Sequence, residues 1–331
     1  MKKILITGAA GFIGAALAAR LLSEDKDTYV TGIDSLTDYY DPALKRERLE
    51  ELKTFGERFR FIKGDIADRL FVEDVMRSVR PDTVVNLAAQ AGVRYSLIQP
   101  EAYMHSNITG FYNILEACRS YSPVHLVYAS SSSVYGTDAK APFREDAALL
   151  TPASLYAATK ISNEAMAKAY SHLFGFPSTG LRFFTVYGPK GRPDMAYYKF
   201  TIRMIAGERL QIYNNGDMLR DFTYIDDITR GIALVINEGQ SEGSEIYNIG
   251  AGQPVKLLDF IDVLEDELLE AGVILKRPER EFLPMQPGDV PETWCDTGKL
   301  EKRFGYKPET DLRTGLRAFA IWYRERYGTD G

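Results

Sequence analysis

Short apolar runs alternate with amphipathic stretches along the first half of the chain. An apolar run that ends at a turn signal is typical of a buried strand, and apolar residues three and four apart are typical of a helix. This alternation predicts an α/β fold of the Rossmann type, with a doubly wound parallel sheet. The predicted strands cover residues 3–7, 28–33, 59–63, 82–88, 124–130 and 178–184, and the predicted helices cover 12–23, 42–54, 68–79, 100–119 and 154–174.

The pattern changes after residue 184. Turn signals follow one another at GPKGRPD, NNGD and MQPGD, and the predicted elements become short. One further strand-like segment, EIYNIG (245–250), is placed to extend the first sheet. We therefore predict a Rossmann domain over residues 1–184, to which the strand near 245–250 returns. A smaller substrate-binding lobe, interleaved with it, is predicted over 185–331.

Composition and charge argue against several kinds of binding partner. The chain has 331 residues and a formal net charge of −6, without a basic block. Such a chain is a poor candidate for nucleic acid or an anionic membrane, and no apolar run is long enough to span a bilayer. Cys118 and Cys295 lie far apart, and the three histidines do not stand at metal-ligand spacing. We expect no metal site and no disulfide, and a reducing, cytoplasmic compartment.

A glycine-rich turn follows the first predicted strand and reads Gly8-Ala-Ala-Gly11-Phe-Ile-Gly14. Although this start imitates a bacterial signal peptide, the regular glycines favour a turn that brings the backbone close to a pyrophosphate at a helix N-terminus. Asp34 ends the second strand, twenty residues past Gly14. A carboxylate there suits the adenosine ribose hydroxyls and repels a 2′-phosphate, which predicts NAD rather than NADP.

Two later strand ends are placed near the same ligand, because the ligand crevice of such a sheet lies at the carboxyl ends of its strands. Asp65 in GDI (64–66) stands where an adenine would meet it, and LAAQAG (87–92) supplies small residues. The predicted cofactor-binding residues are Gly8, Gly11, Phe12, Ile13, Gly14, Asp34, Ser35, Asp65, Ile66, Leu87, Ala88, Ala89, Gln90, Asn107, Tyr156, Lys160 and Phe183.

Tyr156 and Lys160 stand four residues apart near the start of a predicted helix, so their side chains share one face. A phenol with an ordinary pKa of about 10 is a poor base near neutral pH. A neighbouring ammonium and the positive nicotinamide favour the phenolate and lower that pKa. A phenolate prepared in this way takes a proton from a sugar hydroxyl while hydride leaves for NAD.

The glycine turn, the SSSSVYG segment and Tyr156-x-x-x-Lys160 together resemble the extended short-chain dehydrogenases that act on nucleotide sugars. The resemblance covers nearly the whole chain, through LRFFTVYGP (181–189), RDFTYIDD (220–227) and MQPGDVPETWCD (285–296). It implies that Ser131 is the third catalytic residue and hydrogen-bonds the O4 atom of the sugar. It also implies a homodimer joined through the helices near 100–119 and 154–174.

The run Ser130 to Ser133 separates the members of this group. The 4,6-dehydratases resemble S-T-D-E-V-Y-G here and use the acid pair to eliminate water, and the UDP-glucuronate decarboxylases resemble S-E-V-Y-G. This chain has Ser132 and Ser133 in those places, which favours oxidation at C4, rotation of the ketone and return of hydride to its other face. For Ser130 and Ser133, bonding to backbone groups at a strand end explains the residue equally well.

The loop GPKGRPDMAYY (188–198) is similar to that of the UDP-glucuronate 4-epimerases, as are SLTDYYDP (35–42) and AAQAGVRYS (88–96). This resemblance implies interconversion of UDP-glucuronate and UDP-galacturonate, with Arg192 binding the C6 carboxylate bidentately. Gln286 stands where many relatives have an arginine, which leaves Arg220 as the main charge for the diphosphate. The predicted substrate-binding residues are Arg94, Ser131, Ser132, Thr185, Arg192, Lys199, Gln211, Tyr213, Arg220, Gln286 and Asp289.

Three alternatives remain open from the sequence. The first is a UDP-glucose or UDP-N-acetylglucosamine 4-epimerase, in which Arg192 would be incidental. The second is a UDP-glucuronate decarboxylase, which the missing glutamate disfavours. The third belongs to a different class: an NAD-binding sensor without catalysis, which the presence of Tyr156, Lys160 and Ser131 disfavours.

Overall fold

The computed structural model describes residues 1–121, 125–239, 242–285 and 290–328. The strands in these ranges are β1 (Lys2–Thr7), β2 (Thr28–Asp34), β3 (Phe59–Lys63), β4 (Thr83–Asn86), β5 (His125–Ser131), β6 (Ser178–Phe183), β7 (Thr185–Tyr187), β8 (Leu210–Ile212), β9 (Leu219–Tyr224), β10 (Ser244–Ile249), β11 (Pro254–Lys256), β12 (Arg280–Phe282) and β13 (Glu292–Thr293). The helices are α1 (Phe12–Glu24), α2 (Pro42–Lys53), α3 (Arg69–Val79), α4 (Pro100–Tyr103), α5 (Phe111–Tyr121), α6 (Leu155–Phe174), α7 (Ala196–Ile205), α8 (Ile225–Glu238), α9 (Leu257–Glu270), α10 (Gly298–Phe304) and α11 (Leu312–Tyr327).

A seven-stranded parallel sheet forms the centre of the molecule, with the strand order β10-β6-β5-β4-β1-β2-β3. The order changes direction between β1 and β4, because the chain builds outwards from β1 to β3 and then restarts on the other side. In doubly wound sheets a crevice opens at this point, beyond the carboxyl ends of the strands. The predicted fold class is confirmed.

Both faces of this sheet are covered by helices. In β1, Ile4 and Ile6 belong to the hydrophobic core on the side of α1 and α8, whereas Leu5 belongs to the core on the side of α3, α5 and α6. This alternation is the period of two that a pleated strand imposes. Burial on both faces explains why such a strand has a continuous apolar sequence.

The predicted helix over 100–119 contains an irregularity that its sequence does not indicate. A π-helical stretch, Met104–Gly110, joins α4 to α5. Asn107 lies in this stretch, and its side chain accepts a hydrogen bond from the Gln90 N–H (2.8 Å) and donates one to the Gln90 carbonyl (3.0 Å). It also donates to the Thr159 hydroxyl in α6 (3.1 Å). The π-helical stretch therefore fixes the loop after β4, in keeping with the frequent occurrence of such stretches at functional sites.

The remaining strands form two smaller sheets. β9 pairs with β11, β13 and β7, and β12 pairs with β8. A second aromatic core lies here, in which the rings of Phe222 and Phe260 stack with their centroids 3.9 Å apart. β6 ends at Phe183 and β7 begins at Thr185. The division into domains at residues 184 and 185 stays a prediction.

Asp221 connects the two parts of the chain. Its side chain is fully buried in β9 and accepts hydrogen bonds from the N–H groups of Ala251 (2.7 Å) and Gly252 (2.9 Å), in the turn after β10. It also accepts from the Thr223 hydroxyl (3.0 Å) and the Cys295 thiol (3.2 Å). Burial, reinforced by the Asp221 charge, raises the pKa of Cys295 well above its usual value, so the thiol stays a donor.

We expect Asp221→Asn to lower the free energy of unfolding by about 2–3 kcal/mol. Both carboxylate oxygens of Asp221 accept hydrogen bonds, and in the variant an NH₂ group replaces one of these oxygens and faces donors. Urea unfolding followed by circular dichroism measures this. Asp217→Asn is the matched control, because Asp217 is exposed just before β9, and it should change stability by no more than about 0.5 kcal/mol. Equal unfolding midpoints for the two variants would show that Asp221 does not hold the two parts together.

Candidate active site

A cavity lies along the carboxyl ends of the central strands. It is lined by every predicted cofactor-binding residue except Asn107, by the three predicted catalytic residues, and by Arg192. Asn107 is buried and bonds to the backbone of Gln90, which itself lines the cavity. Its part in cofactor binding stays a prediction, and in this structure it positions a neighbouring loop.

The glycine turn leaves no room for side chains. A Cβ atom on Gly14 would stand 2.2 Å from the Gly8 carbonyl oxygen, and one on Gly8 would stand 2.8 Å from the Ala88 nitrogen. Gly8 also has a φ of 69°, which favours glycine. The N-cap residue of α1 is Gly11, which has no side chain to cap the helix. Gly11 and the first residues of α1, Phe12 to Gly14, line the cavity, so an uncapped helix N-terminus suited to an anion lies there.

Asp34 lies at the end of β2 with its carboxylate fixed. It accepts hydrogen bonds from the N–H groups of Ala10 (3.2 Å) and Leu36 (2.8 Å). The Lys45 ammonium lies 3.7 Å from this carboxylate, and both side chains are only 8% exposed. Burial lowers the pKa of Lys45, while the Asp34 charge acts in the opposite direction. The acid predicted for the ribose thus has a buried cation beside it.

Lys45 and Arg48 are functional candidates that the sequence reasoning missed. The buried residues of α2 include positions 45, 48, 49 and 52, which is the spacing of one helix face. Two basic residues on the apolar face of a predicted helix are the sequence signal that could have identified them. Arg48 donates to the carbonyls of Ala10 (2.9 Å), Lys190 (3.1 Å) and Gly191 (3.2 Å). It therefore connects the glycine turn to the loop that carries Arg192.

Tyr156 and Lys160 lie in the first turns of α6, which begins after Ser154. The Ser154 hydroxyl caps the helix by accepting from the Ala157 N–H (3.1 Å). The Lys160 ammonium donates to the Ala129 carbonyl (2.8 Å) and lies 6.0 Å from the centre of the Tyr156 ring. One helical turn therefore places a cation beside the phenol, as the spacing predicts.

Burial and neighbouring charges shift the pKa values of Tyr156 and Lys160 in opposite directions. Burial raises the pKa of Tyr156, whereas a hydrogen bond with Ser131 and the charge of Arg192 act to lower it. Burial lowers the pKa of Lys160 to about 8, although the charge of Glu164 acts to raise it. A phenol with a raised pKa is a poor base until further positive charge arrives, so the site is completed by its ligands.

The four serines of the run Ser130 to Ser133 make different contacts. Ser131 ends β5, lines the cavity, and its hydroxyl accepts from the Ser133 N–H (3.2 Å). Ser130 instead donates to Glu164 (2.5 Å), which also holds Arg182 in two charged hydrogen bonds of 2.9 and 2.8 Å. Ser132 is half-buried and is not among the cavity residues. Of the four serines, Ser131 is thus the one placed beside Tyr156, and the role of Ser132 stays a prediction.

Arg192 lies on the loop between β7 and α7. Its Nε and Nη2 atoms donate to the two carboxylate oxygens of Asp194, at 2.9 and 2.5 Å. Burial alone would lower the pKa of Arg192, but the hydrogen bonds and charge of Asp194 outweigh burial and raise it. The Tyr39 hydroxyl also donates to Asp194 (3.2 Å). Asp194 belongs to GPKGRPDMAYY and Tyr39 to SLTDYYDP, and nothing in the sequence indicates that these two residues are in contact.

The predicted contacts for the nucleotide lie apart from this cavity. Arg94 lies over the Tyr213 ring at 5.9 Å, and the Tyr213 hydroxyl donates to Gln211 (3.4 Å). Arg220 donates to the carbonyls of Val290 (2.8 Å) and Pro291 (2.9 Å). Their roles stay predictions, together with those of Thr185 in β7 and Lys199, which is exposed on α7. Gln286 and Asp289 lie outside the described residues.

Three further features concern the residues that the structure describes. Within them, no group of three or more His, Cys, Asp or Glu side chains is arranged to hold a metal ion. No helix in the same ranges has both the length and the apolar character needed to cross a membrane. Cys118 and Cys295 are both buried free thiols.

Residues 4–250 match the model of the NAD dependent epimerase/dehydratase family. The chain belongs to this family. It is 45% identical to protein CapI of Staphylococcus aureus, over 98% of this chain and 99% of that protein. It is 43% identical to UDP-glucuronate 4-epimerase 4 of Arabidopsis thaliana, over 99% of this chain and 76% of that protein. The predicted membership of the extended short-chain dehydrogenases is confirmed.

The solved structures agree with this assignment. The chain superposes on UDP-glucuronic acid 4-epimerase from Bacillus cereus, in complex with UDP-glucuronic acid and NAD, with a TM-score of 0.90. The two are 35% identical, over 98% of this chain and all of that one. The cavity of this epimerase/dehydratase fits NAD, the cofactor of the family. The bare glycine turn would hold the pyrophosphate, Asp34 the ribose, and Lys160 the nicotinamide half.

The Asp34–Lys45 pair gives a prediction about cofactor choice. Asp34→Ala leaves a buried ammonium without its carboxylate, and the 2′-phosphate of NADP is a counterion for it. We expect the affinity of the apoprotein for NADP to rise on the order of tenfold. Titration calorimetry with NAD and NADP measures this. The control is Asp34→Ala combined with Lys45→Met, which should lose the gain, and equal NADP affinities for the two variants would exclude Lys45 from phosphate binding.

Proposed function

We propose that this protein is a UDP-glucuronate 4-epimerase, which interconverts UDP-glucuronate and UDP-galacturonate. The observation that carries the proposal is that Arg192 lines the same cavity as Tyr156, Lys160 and Ser131. A guanidinium beside an oxidising centre suits a sugar that carries a carboxylate next to the reacting carbon. The similarity to UDP-glucuronate 4-epimerases over nearly the full length of the chain supports the same conclusion.

In this mechanism Tyr156 removes the proton from the O4 hydroxyl of the sugar. NAD, when bound in the cavity, would supply the hydride chemistry that oxidises C4 and then reduces the opposite face of the ketone. The Lys160 ammonium, held by the Ala129 carbonyl at 2.8 Å, stabilises the phenolate that starts the step. Ser131 hydrogen-bonds O4 and positions it beside the phenol. Tyr156 then returns the proton to O4 of the epimer.

The acid sugar poses a problem that a neutral sugar does not. The 4-keto intermediate is a β-keto acid, and it loses CO2 when the C5–C6 bond aligns with the π system of the ketone. Arg192 binds the carboxylate before and after the ring turns and fixes its torsion away from that alignment in both positions, which is a positioning effect. The Glu164 carboxylate nearby is engaged by Arg182 and Ser130, so it does not serve an elimination of water.

The test is proton NMR of UDP-glucuronate incubated with the protein, with and without added NAD. We expect UDP-galacturonate to form without a pentose product and without a lasting keto sugar. UDP-xylose or a 4-keto pentose would instead identify a decarboxylase. If UDP-glucuronate is unchanged while UDP-glucose or UDP-N-acetylglucosamine is epimerised, the protein is an epimerase of neutral sugars. If bound NAD is reduced by none of these sugars, the protein is a sensor.

Arg192→Met keeps much of the length of the side chain and removes its charge. We expect kcat/KM for UDP-glucuronate to fall about 100-fold, from the loss of a charged hydrogen-bonded contact worth about 3 kcal/mol. A larger share of the product should be decarboxylated, because the carboxylate torsion is no longer fixed. NMR of the product mixture measures both effects. Unchanged activity and product purity would make Arg192 incidental.

We also propose that two copies associate through α5 and α6, as the resemblance implies. Both helices present apolar side chains to solvent, including Met104 at the start of this face, Tyr112, Leu173 and Phe174. Exposed apolar side chains on neighbouring helices favour an interface at these helices. We propose a cytoplasmic location as well, because buried free thiols suit a reducing compartment.

The dimer is tested by sedimentation velocity. We expect twice the mass of one chain, and Tyr112→Asp should shift the protein towards the monomer because it places a charge in the apolar contact. The control is Leu150→Asp, since Leu150 is an exposed apolar residue that lies outside α5 and α6. A wild-type monomer, or equal dissociation of both variants, would contradict the proposed interface.

A further inference from the structure

Arg192 already has a carboxylate partner within the protein. Asp194 takes its Nε and Nη2 atoms in two parallel hydrogen bonds. The two side chains are 23% and 22% exposed, so the pair is largely screened from water. The contacts that the described residues make with this guanidinium leave the Nη1 edge for a ligand. A substrate carboxylate that binds there shares one cation with Asp194.

Asp194 is itself held in place. The Tyr39 hydroxyl donates to it at 3.2 Å, and the Tyr39 ring packs on Tyr95 with centroids 4.6 Å apart. Burial, reinforced by the charge of Asp194, raises the pKa of Tyr39 to about 12, so this hydroxyl stays a donor at neutral pH. A Cβ atom on Gly92 would stand 3.1 Å from the Tyr39 oxygen. Asp194 is therefore a fixed carboxylate and not a mobile surface group.

A 4-epimerase has a particular need for such a group. The ketone presents first one face and then the other to the same hydride position, so the substituent on C5 changes its place when the ring turns. A C6 carboxylate therefore cannot keep one set of contacts through the reaction. A buried guanidinium that lost its carboxylate partner would be destabilised, because a buried charge without a partner is costly. A second carboxylate fixed beside it removes that cost.

We propose that Asp194 determines specificity because it shares the charge of Arg192 with the sugar carboxylate, so that two carboxylates on different edges compete for one cation. It weakens the binding of the acid sugar, and it keeps Arg192 paired while the ketone turns. The proposal rests on the proposed function and deepens it. One consequence concerns neutral sugars: with Asp194 present, a hydroxymethyl group at C6 leaves no unpaired cation, so the discrimination between UDP-glucuronate and UDP-glucose is moderate.

The variant that tests this is Asp194→Asn, which keeps the shape and removes the charge. Competition predicts that KM for UDP-glucuronate falls on the order of tenfold, because a like charge near the bound carboxylate is gone. It also predicts that kcat falls, since the acid sugar is held in its first orientation. If Asp194 merely orients the guanidinium, KM rises while kcat falls, and the proposal is overturned. Unchanged kinetics overturn it as well.

A binding measurement separates this test from turnover. In NAD-loaded protein that carries Tyr156→Phe, calorimetry gives the Kd for UDP-glucuronate and for UDP-glucose, with and without Asp194→Asn. We expect Asp194→Asn to lower the Kd for UDP-glucuronate relative to the Kd for UDP-glucose on the order of tenfold. A shift towards UDP-glucose, or none, refutes the competition. If wild-type protein does not epimerise UDP-glucuronate, the proposed function fails regardless of this ratio.

The chain offers a matched control and a second variant. Arg144 and Asp146 form the same Arg-x-Asp pair on the surface, at 3.2 and 3.4 Å with 61% and 72% exposure, so Asp146→Asn should change neither KM nor the Kd ratio. Tyr39→Phe keeps both charges and releases Asp194. It should shift the Kd ratio towards the acid by less than Asp194→Asn does, and a shift in the opposite direction contradicts the proposal even if Asp194→Asn does not fold.

Discussion

The reactive groups of this protein depend on one constraint: a parallel sheet that is buried on both faces meets its ligands at the carboxyl ends of its strands. Ile4 and Ile6 on one face and Leu5 on the other belong to hydrophobic cores, so β1 has no polar face to offer. The glycine turn after β1, Asp34 after β2 and Ser131 at the end of β5 follow from this. Each stands where its strand ends and its backbone becomes available.

The same constraint requires buried charges to be paired. A crevice between two cores is a poor solvent for ions, so a charge in it needs a partner or loses its ionisation. Asp34 has Lys45 at 3.7 Å, Arg182 has Glu164 at 2.8 Å, and Arg192 has Asp194 at 2.5 Å. Each pair keeps its two buried side chains ionised. Each pair also limits how strongly its cation or anion binds a ligand, which connects the stability of the site to its specificity.

The parts of the site that the sequence predicts are those that depend on local spacing. Three glycines between a strand and a helix, an acid at the end of the next strand, and Tyr156 four residues before Lys160 each follow from the geometry of one or two elements. The parallel sheet follows from the alternation of strands and helices. These features could be found because the residues that define them are neighbours in the chain.

The remainder depends on contacts between distant segments, which spacing does not report. Asp34 and Lys45 come from different elements, and so do Tyr39 and Asp194. Asp221 in β9 contacts Ala251, which follows β10, and Cys295, which follows β13. The sequence around Asn107 predicts an ordinary helix, and the π-helical stretch with the contacts of Asn107 does not follow from it. The sequence identifies the chemistry of such residues, whereas the fold decides their partners.

The serine run shows how these two kinds of information combine. Hydroxyls in place of acids already argue against elimination, unless a carboxylate from another element takes over that task. Glu164 is that carboxylate: it lies on α6, one turn beyond Lys160, and accepts from Ser130 at 2.5 Å. Arg182 holds both of its oxygens, at 2.9 and 2.8 Å. Both carboxylate oxygens of Glu164 are therefore occupied by donors from the protein. Glu164 thus holds Ser130 of β5 and Arg182 of β6 and acts through its charge on Lys160, and Tyr156 stays the predicted base.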